Sequence, residues 1–373
     1  MKPFIITLCF LCACIPSQGQ TDSKLYKNAQ FLLAKGKFKQ SIRNFKKVIK
    51  NEGDSPGAYF NIGQGKLHLK NYESAIVDFT TALELRPKFP EAYYQRGLAK
   101  ARLKNFENAI EDFSEAITLK SDYSEAYSSR GTAKNDLKNY EKALDDLNKA
   151  FQLGLRSDLV FGGRGRSKFH LGDYEGAMDD YNQALSINPN HAPFYCNRGL
   201  LKESLKNPSG ALSDYNRAIK IDPKHAISYT NRGNLRSKQN DFRSAIKDHT
   251  KAIKVDPSYP IPYINRGVAR VRSNRKDYKG SIKDFTKAIQ MAPNMALPYN
   301  NRGLSKYNLG YFRESMDDFD KAIELDPNYA FSYRNRGKSR IELKQNSQAC
   351  IDFKRAIQLG DSDANEFIEK HCN

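Results

Sequence analysis

The stretch that decides the fold is residues 90–123, PEAYYQRGLAKARLKNFENAIEDFSEAITLKSDY. Tyr93 and Gly97 lie four residues apart, as do Ala109 and Phe113, and this spacing places each pair on one face of a helix. The stretch therefore predicts two consecutive helices joined by a short turn, each with one face of apolar and small residues.

The same pattern returns along the chain at a fixed period. One glycine position recurs nine times, at Gly63, Gly97, Gly131, Gly165, Gly199, Gly233, Gly267, Gly303 and Gly337. Seven of the eight intervals are 34 residues, and the remaining one is 36. A period in this range predicts a stack of supersecondary units rather than one globular core, and it disfavours most classes of enzyme.

The repeating residues resemble the tetratricopeptide repeat: an aromatic four residues before the glycine, then alanine, aromatic, alanine and proline at fixed positions. The resemblance covers residues 22–363 in ten units, of which the first (22–55) is degenerate and has Ala29 at the glycine position. It implies an all-α, right-handed superhelical solenoid of about ten helix-turn-helix units, whose first helices line a concave groove. It also implies protein–protein recognition without enzymatic activity. Residues 364–373 are expected to form a C-terminal capping helix.

The N-terminus predicts export. Lys2 precedes an apolar stretch at residues 4–15, and Pro16 then breaks it before small residues. We expect a signal peptide over residues 1–19, cleaved after Gly19. Alternatively, residues 11–14 resemble a bacterial lipoprotein box with Cys14 as the lipidated residue, and membrane association would then arise only through the lipid. An uncleaved anchor is a third possibility. Cleavage and lipidation predict a periplasmic or secreted protein, or an outer-envelope lipoprotein.

Three cysteines lie beyond the export segment. An oxidising compartment permits disulfides, and Cys350 in the last second helix could bond Cys372 in the cap, closing a loop of 22 residues. The alternative is two free thiols. Cys196 lies in a first helix and has no evident partner.

Two charged ladders accompany the glycines. An arginine precedes the glycine in eight units, where the family usually has leucine, and an aspartate follows in the second helix. The arginines are Arg96, Arg130, Arg164, Arg198, Arg232, Arg266, Arg302 and Arg336. The aspartates are Asp112, Asp146, Asp180, Asp214, Asp248, Asp284, Asp318 and Asp352, with Asp78 in an earlier unit. We expect structural ion pairs, such as Arg96–Asp112, Arg232–Asp248 and Arg302–Asp318, because a partly buried arginine needs a carboxylate. Direct contact with a ligand is the alternative.

A second row of basic residues follows four positions after each arginine. We expect its stems to lie on apolar surface while its charges stay in water. This row accounts for about half of the net charge of +19. Although such a charge can indicate nucleic acid, the export signal and the lack of a recognition motif argue against that partner. A simple solvated face, or docking on anionic envelope polymers or lipid headgroups, remains open.

The clearest functional feature is a ladder of asparagines two residues before the glycine. Its members are Asn197, Asn231, Asn265, Asn301 and Asn335. An asparagine can donate to and accept from one peptide unit, and the arrangement resembles the asparagine ladder in the repeats of O-linked N-acetylglucosamine transferase. We expect these amides to hold an extended backbone in the groove, with apolar pockets from Ile227, Ile261, Leu297 and Phe331. The alternative is that the asparagines merely cap or hydrate the helices.

No catalytic residue, metal site or cofactor is predicted. The six histidines show no metal-ligand spacing, and no nucleophile has a triad context. The sequence therefore predicts a non-enzymatic, exported scaffold that binds an extended segment of a protein in its groove. An envelope-associated scaffold that docks on acidic material through its basic surface is the alternative. Neither the partner nor the oligomeric state can be read from the sequence.

Overall fold

A computed structural model describes residues 23–372. The residues expected to form the export segment, 1–19 including Cys14, lie outside this range. The described residues fall into two compact units, one ending at Pro189 and the other beginning at Asn190. Throughout the described range the secondary structure is helical, and no strand is present.

The N-terminal unit contains five pairs of helices. They are α1 (Lys24–Ala34), α2 (Phe38–Glu52), α3 (Pro56–His68), α4 (Tyr72–Leu85), α5 (Pro90–Arg102), α6 (Phe106–Leu119), α7 (Ser124–Asp136), α8 (Tyr140–Gln152), α9 (Asp158–His170) and α10 (Tyr174–Ile187). The degenerate first repeat forms the same helix pair as the others, and Ala29 is fully buried in it.

The C-terminal unit contains five more pairs and a cap. They are α11 (Ala192–Ser204), α12 (Pro208–Ile221), α13 (Ala226–Lys238), α14 (Phe242–Val255), α15 (Pro260–Arg272), α16 (Tyr278–Met291), α17 (Ala296–Tyr307), α18 (Phe312–Leu325), α19 (Ala330–Glu342) and α20 (Asn346–Gln358). A 3₁₀ turn (Ser362–Ala364) and α21 (Asn365–His371) follow, where a capping helix was expected.

Within each unit, every first helix packs against its own second helix, and the second helix packs against the next first helix. This arrangement confirms the predicted all-α class of consecutive helix pairs. None of the described helices is both long enough and apolar enough to cross a bilayer.

From α3 onward, the repeated glycine of each first helix lies against a side chain of its own second helix. A β-carbon on Gly97 would lie 2.7 Å from Phe113 Cε1, and one on Gly233 would lie 2.7 Å from His249 Cε1. Because a ring from the second helix fills this space, a side chain at the glycine would force the pair apart. Packing therefore outweighs the cost of about 0.5–1 kcal/mol that a glycine imposes within a helix.

Candidate functional site

The ladder aspartates are buried ion-pair centres. Arg232 donates from Nε and Nη2 to the two oxygens of Asp248, at 2.9 and 2.6 Å, and this bidentate geometry is the strong form of the pair. The other arginine–aspartate pairs have Nη2–Oδ1 distances of 2.6–2.8 Å, except Arg164–Asp180 at 3.5 Å. Each arginine thus satisfies a carboxylate inside its own repeat.

The same arginines also tie neighbouring repeats together. Arg96 Nη1 donates to Thr80 Oγ1 at 3.1 Å, and Arg302 Nη1 donates to Thr286 Oγ1 at the same distance. The guanidinium of Arg96 also lies 5.4 Å from the centre of the Tyr93 ring. One side chain therefore contacts its own second helix, the preceding second helix and an aromatic ring. This explains why arginine can replace the family's leucine.

The second basic row is not solvated as expected. Its members pair with the same aspartates: Lys100 Nζ lies 2.8 Å from Asp112, and Arg236 Nη1 lies 2.7 Å from Asp248. The equivalent contacts recur at Lys66, Lys134, Lys168, Lys202, Arg270, Lys306 and Arg340. The expectation was wrong because a buried carboxylate between two cations is more stable than a carboxylate with one. A constant spacing of 12 residues to the aspartate, or 14 where two residues are inserted, could have indicated this.

The asparagine ladder lies on the first helices of the C-terminal unit, and three of its amides bond to the preceding first helix. Asn231 Nδ2 donates to Cys196 Sγ at 3.3 Å. Asn265 Nδ2 donates to Asn234 Oδ1 at 2.8 Å, and Asn335 Nδ2 donates to Asn300 Oδ1 at 3.1 Å. These donors therefore connect consecutive repeats.

The other two members of the ladder differ from this pattern. Asn301 accepts from Asn300 Nδ2 at 3.2 Å, within its own helix. Asn197 has no side-chain hydrogen bond within residues 23–372. Of the five, Asn335 is the most enclosed, with 8% of its surface exposed. Three of the five ladder asparagines thus bond to the preceding repeat, whereas Asn197 and Asn301 do not.

The four expected apolar positions form a row, since each is the second residue of a first helix. Ile227, Leu297 and Phe331 are 48%, 42% and 49% exposed. Ile261 is half-buried and packs on the cluster around Tyr263 and Phe285. Large apolar side chains exposed at one-repeat intervals are typical of a binding surface.

At its C-terminal end the row of first helices meets a cleft of about 460 Å³. The cleft is lined by Leu304, Arg334, Asn335, Lys338, Ser362, Asp363, Glu366 and Phe367. Arg334 pairs with Asp361 at 3.1 Å and with Asp363 at 2.5 Å. Lys338 Nζ lies 5.0 Å from the Tyr307 ring centre and 5.7 Å from that of Phe367. Burial, together with the charge of Arg334, lowers the pKa of Lys338.

The cap is attached covalently in the structure. Cys350 and Cys372 form a disulfide with their Cα atoms 5.7 Å apart. The Phe367 ring also stacks on the Phe353 ring, with centroids 5.1 Å apart. Since Phe367 is also part of the cleft wall, the disulfide and this stack together hold that wall in place.

Cys196 has partners that the sequence did not reveal. Besides accepting from Asn231, it lies near Ser228, whose Oγ is 2.7 Å from His225 Nδ1. The grouping superficially resembles a nucleophile with a histidine. However, the thiol is 1% exposed and burial raises its pKa, so the reactive thiolate is disfavoured. Within residues 23–372 no group of histidine, cysteine and carboxylate side chains is arranged to hold a metal ion.

Family models support the repeat assignment. A model described as TPR repeat matches residues 68–104 and 165–206. Two models described as tetratricopeptide repeat match residues 90–123, 192–225 and 226–259, and residues 296–329. The chain therefore contains tetratricopeptide repeats, an architecture typical of non-enzymatic scaffolds. No curated protein sequence matches the chain.

Solved structures show the same class of fold. The crystal structure of the APC/C hetero-tetramer Cut9-Hcn1 is 13% identical, with a TM-score of 0.51, and covers 95% of this chain and 97% of that one. A crystal structure of MamA is 23% identical, with a TM-score of 0.40, and covers 44% and 96%. That of YrrB, a TPR protein with an unusual peptide-binding site, is 22% identical, with a TM-score of 0.38, and covers 49% and 95%. At these identities the likeness concerns the fold alone.

Proposed function

We propose that the chain is a non-enzymatic scaffold that binds an extended segment of a partner protein along the first helices of the C-terminal unit. The observation that carries this proposal is the row of Ile227, Ile261, Leu297 and Phe331. Exposed apolar side chains at one position of successive first helices form a row that a partner can cover. An extended segment crossing the repeats could bury alternate side chains against this row.

Contacts between helices support a groove on this side. Consecutive first helices of the C-terminal unit contact one another, as α13 does α11 and α15, whereas consecutive second helices make no comparable contact within the described residues. First helices that lie closer together than second helices curve the stack inward on the first-helix side. The apolar row then lies on the inner surface.

The asparagine ladder would contribute amides that are already oriented. Asn231, Asn265 and Asn335 each donate one Nδ2 hydrogen to a neighbouring repeat, so each Oδ1 atom and the second Nδ2 hydrogen are left for a partner's backbone. The bonds between repeats also hold these amides in place, which reduces the entropy lost on binding.

A library of displayed peptides, selected against the full chain, tests the proposal. The variant Ile227→Ser/Leu297→Ser/Phe331→Ser should lose at least tenfold in affinity for the selected peptides. The matched control is Val77→Ser/Ile351→Ser, which removes apolar side chains 63% and 66% exposed on second helices. If the control weakens binding as much as the row variant, or if the row variant binds normally, the groove is not the site.

Export remains part of the proposal. The disulfide between Cys350 and Cys372 supports an oxidising compartment, while residues 1–19, including Cys14, are outside the described range. Mass spectrometry of the N-terminus of protein purified from its native host would separate cleavage after Gly19 from lipidation of Cys14. An intact N-terminus in a cytosolic fraction would contradict export.

A further inference from the structure

The solvent-facing side of the second helices carries an ordered charge pattern. We define the outer row of a second helix as the residues five before, one before and three after its ladder aspartate. These residues are four apart and therefore share one helix face. They are exposed on all six second helices from α6 to α16.

Three consecutive second helices of the C-terminal unit have basic outer rows. Across α12, α14 and α16, seven of the nine positions are cationic and the remaining two are serines. The seven residues, called here the basic face, are Arg217, Arg243, Lys247, Lys251, Lys279, Lys283 and Lys287. All seven are exposed, and Lys220 and Lys254 extend the face by one turn.

Three consecutive second helices of the N-terminal unit have acidic outer rows at the same positions. Across α6, α8 and α10, seven of nine positions are carboxylates, and the other two are Lys149 and Gln183. The seven residues, called here the acidic face, are Glu107, Glu111, Glu115, Glu141, Asp145, Glu175 and Asp179. All of them are exposed.

Neither face is neutralised within the part of the chain that the structure describes. The ion pairs of the repeats use the ladder aspartates and the first-helix cations, and none of them includes a residue of either face. Like charges four residues apart on a helix destabilise it. Two extended single-sign surfaces are therefore unfavourable for an isolated chain, and a partner of opposite charge would relieve both.

We propose that the basic face of one copy binds the acidic face of a second copy. The two faces are opposite in sign and equal in number of charges, and both are grids of three outer rows repeated at the period of the stack. Opposed grids can therefore place several charge pairs in register at once. Such a contact is heterologous: one copy keeps an unused acidic face and the other an unused basic face, so association continues into chains or closes into a ring.

A second copy explains more than an anionic membrane or polymer does. An anionic surface would attract the seven cations but would leave the seven carboxylates unpaired and repelled. The proposal is also independent of the peptide groove, because both faces lie on second helices whereas the groove row lies on first helices. Failure of one proposal therefore leaves the other intact.

Sedimentation equilibrium of the full chain tests the inference. At about 50 mM salt the weight-average mass should rise with concentration, and at about 500 mM salt, where screening is strong, it should fall toward that of one chain. The basic-face variant Lys247→Glu/Lys251→Glu/Lys283→Glu and the acidic-face variant Glu111→Lys/Glu115→Lys/Asp145→Lys should each be monomeric. An equimolar mixture of the two should associate again, because each variant retains the face that the other lacks.

A matched control separates this pairing from an effect of net charge. Helix α2 carries exposed cations at the equivalent positions, five before, one before and three after Asn44. The control variant Lys39→Glu/Arg43→Glu/Lys47→Glu changes the net charge as much as the basic-face variant does, and it should associate like the unaltered chain. Monomeric behaviour of the unaltered chain at low salt, loss of association in the control, or a mixture that stays monomeric would each overturn the inference. Binding of a monomeric chain to phosphatidylserine vesicles through the basic face would assign that face to a membrane instead.

Discussion

The second residue of the first helix differs between the two units. In the N-terminal unit this position holds Leu25, Gly57, Glu91, Glu125 and Leu159, whereas in the last four repeats of the C-terminal unit it holds Ile227, Ile261, Leu297 and Phe331. The outer rows of the second helices differ as well, being acidic on α6, α8 and α10 and basic on α12, α14 and α16.

The interior shows no such difference. Gly97 faces Phe113 as Gly303 faces Phe319, each with a hypothetical β-carbon 2.7 Å from the ring. Arg96–Asp112 and Arg302–Asp318 have Nη2–Oδ1 distances of 2.7 and 2.6 Å. The two units therefore pack their helix pairs in the same way, and they differ at exposed positions that this packing does not constrain.

The largest expected effect tests the shared interior. Asp112→Ala in the N-terminal unit and Asp248→Ala in the C-terminal unit each leave two cations without their carboxylate. Both changes should lower the free energy of unfolding by about 3–5 kcal/mol, the range for breaking a buried pair. Urea denaturation of Arg232→Ala, Asp248→Ala and the double variant should show a coupling between them. Unequal losses of stability for Asp112→Ala and Asp248→Ala would contradict a shared interior. Strictly additive losses in the double variant would contradict the ion pair.

The next effect concerns the cap, which has no counterpart in the N-terminal unit. Replacing Cys350 and Cys372 by serine opens a loop of 22 residues, and the chain-entropy model gives a loss of about 3 kcal/mol. Hydrogen exchange should accelerate in α20 and α21 and stay unchanged in residues 23–189, because each repeat contacts only its neighbours. Faster exchange throughout the N-terminal unit would contradict this locality.

His249 makes one repeat of the C-terminal unit sensitive to acid. Its ring is fully buried, neither nitrogen has a hydrogen-bond partner in the described structure, and Phe113 takes the equivalent place in the N-terminal unit. Burial, with a smaller contribution from Arg266, lowers the pKa of His249 from 6.5 to about 4. As the pH falls below 6.5 the unfolded chain takes up the proton first, so stability is lost progressively down to about pH 4.

The size of this effect at pH 5 is about 2 kcal/mol, at about 1.36 kcal/mol per pH unit. Hydrogen exchange in α13 and α14 should therefore accelerate more between pH 7 and pH 5 than in α5 and α6, after correction for the intrinsic rates. The variant His249→Phe should remove the difference between the two units. An undiminished acid response in that variant would assign the sensitivity to other groups.

The smallest effect distinguishes members of the asparagine ladder. Asn335→Ala should cost about 0.5–1.5 kcal/mol, because it removes a hydrogen bond to Asn300 that is almost fully enclosed. Asn197→Ala should be close to neutral, since Asn197 makes no such bond in the described residues. Thermal denaturation of the two variants measures the difference. Equal costs would mean that the inter-repeat bond adds nothing.

Spacing alone was enough to predict the helix pairs, because a fixed period and small residues at helical intervals leave few other ways to bury the apolar faces. The ion pairs between Arg232 and Asp248, and their equivalents, also follow from two residue types that recur together in eight of the ten repeats. By contrast, the role of Arg236 was predicted wrongly. The constant spacing between Arg236 and Asp248 was consistent with a pair, but whether the guanidinium reaches the carboxylate depends on how α13 and α14 cross, which the pattern along one helix does not determine.

The residues of the candidate site were predictable from the sequence, but their hydrogen-bond partners were not. The exposed apolar row follows from helical phase, whereas the amide bonds of Asn231 and Asn265 depend on which atoms of the preceding helix come within reach. The cleft beside Lys338 was not predicted at all, because it arises where the cap turns back against the last repeats.

The sequence by itself determined the repeat class, the helix pairs and the residues that recur on each face, because these follow from periodicity along one chain. Only the tertiary structure decided which polar groups are satisfied inside the stack and which remain for a partner. In the structure the second basic row forms ion pairs with buried carboxylates, whereas the outer rows of the second helices are exposed. The physical reason is that burial and pairing depend on distances between helices, and periodicity along the chain does not encode those distances.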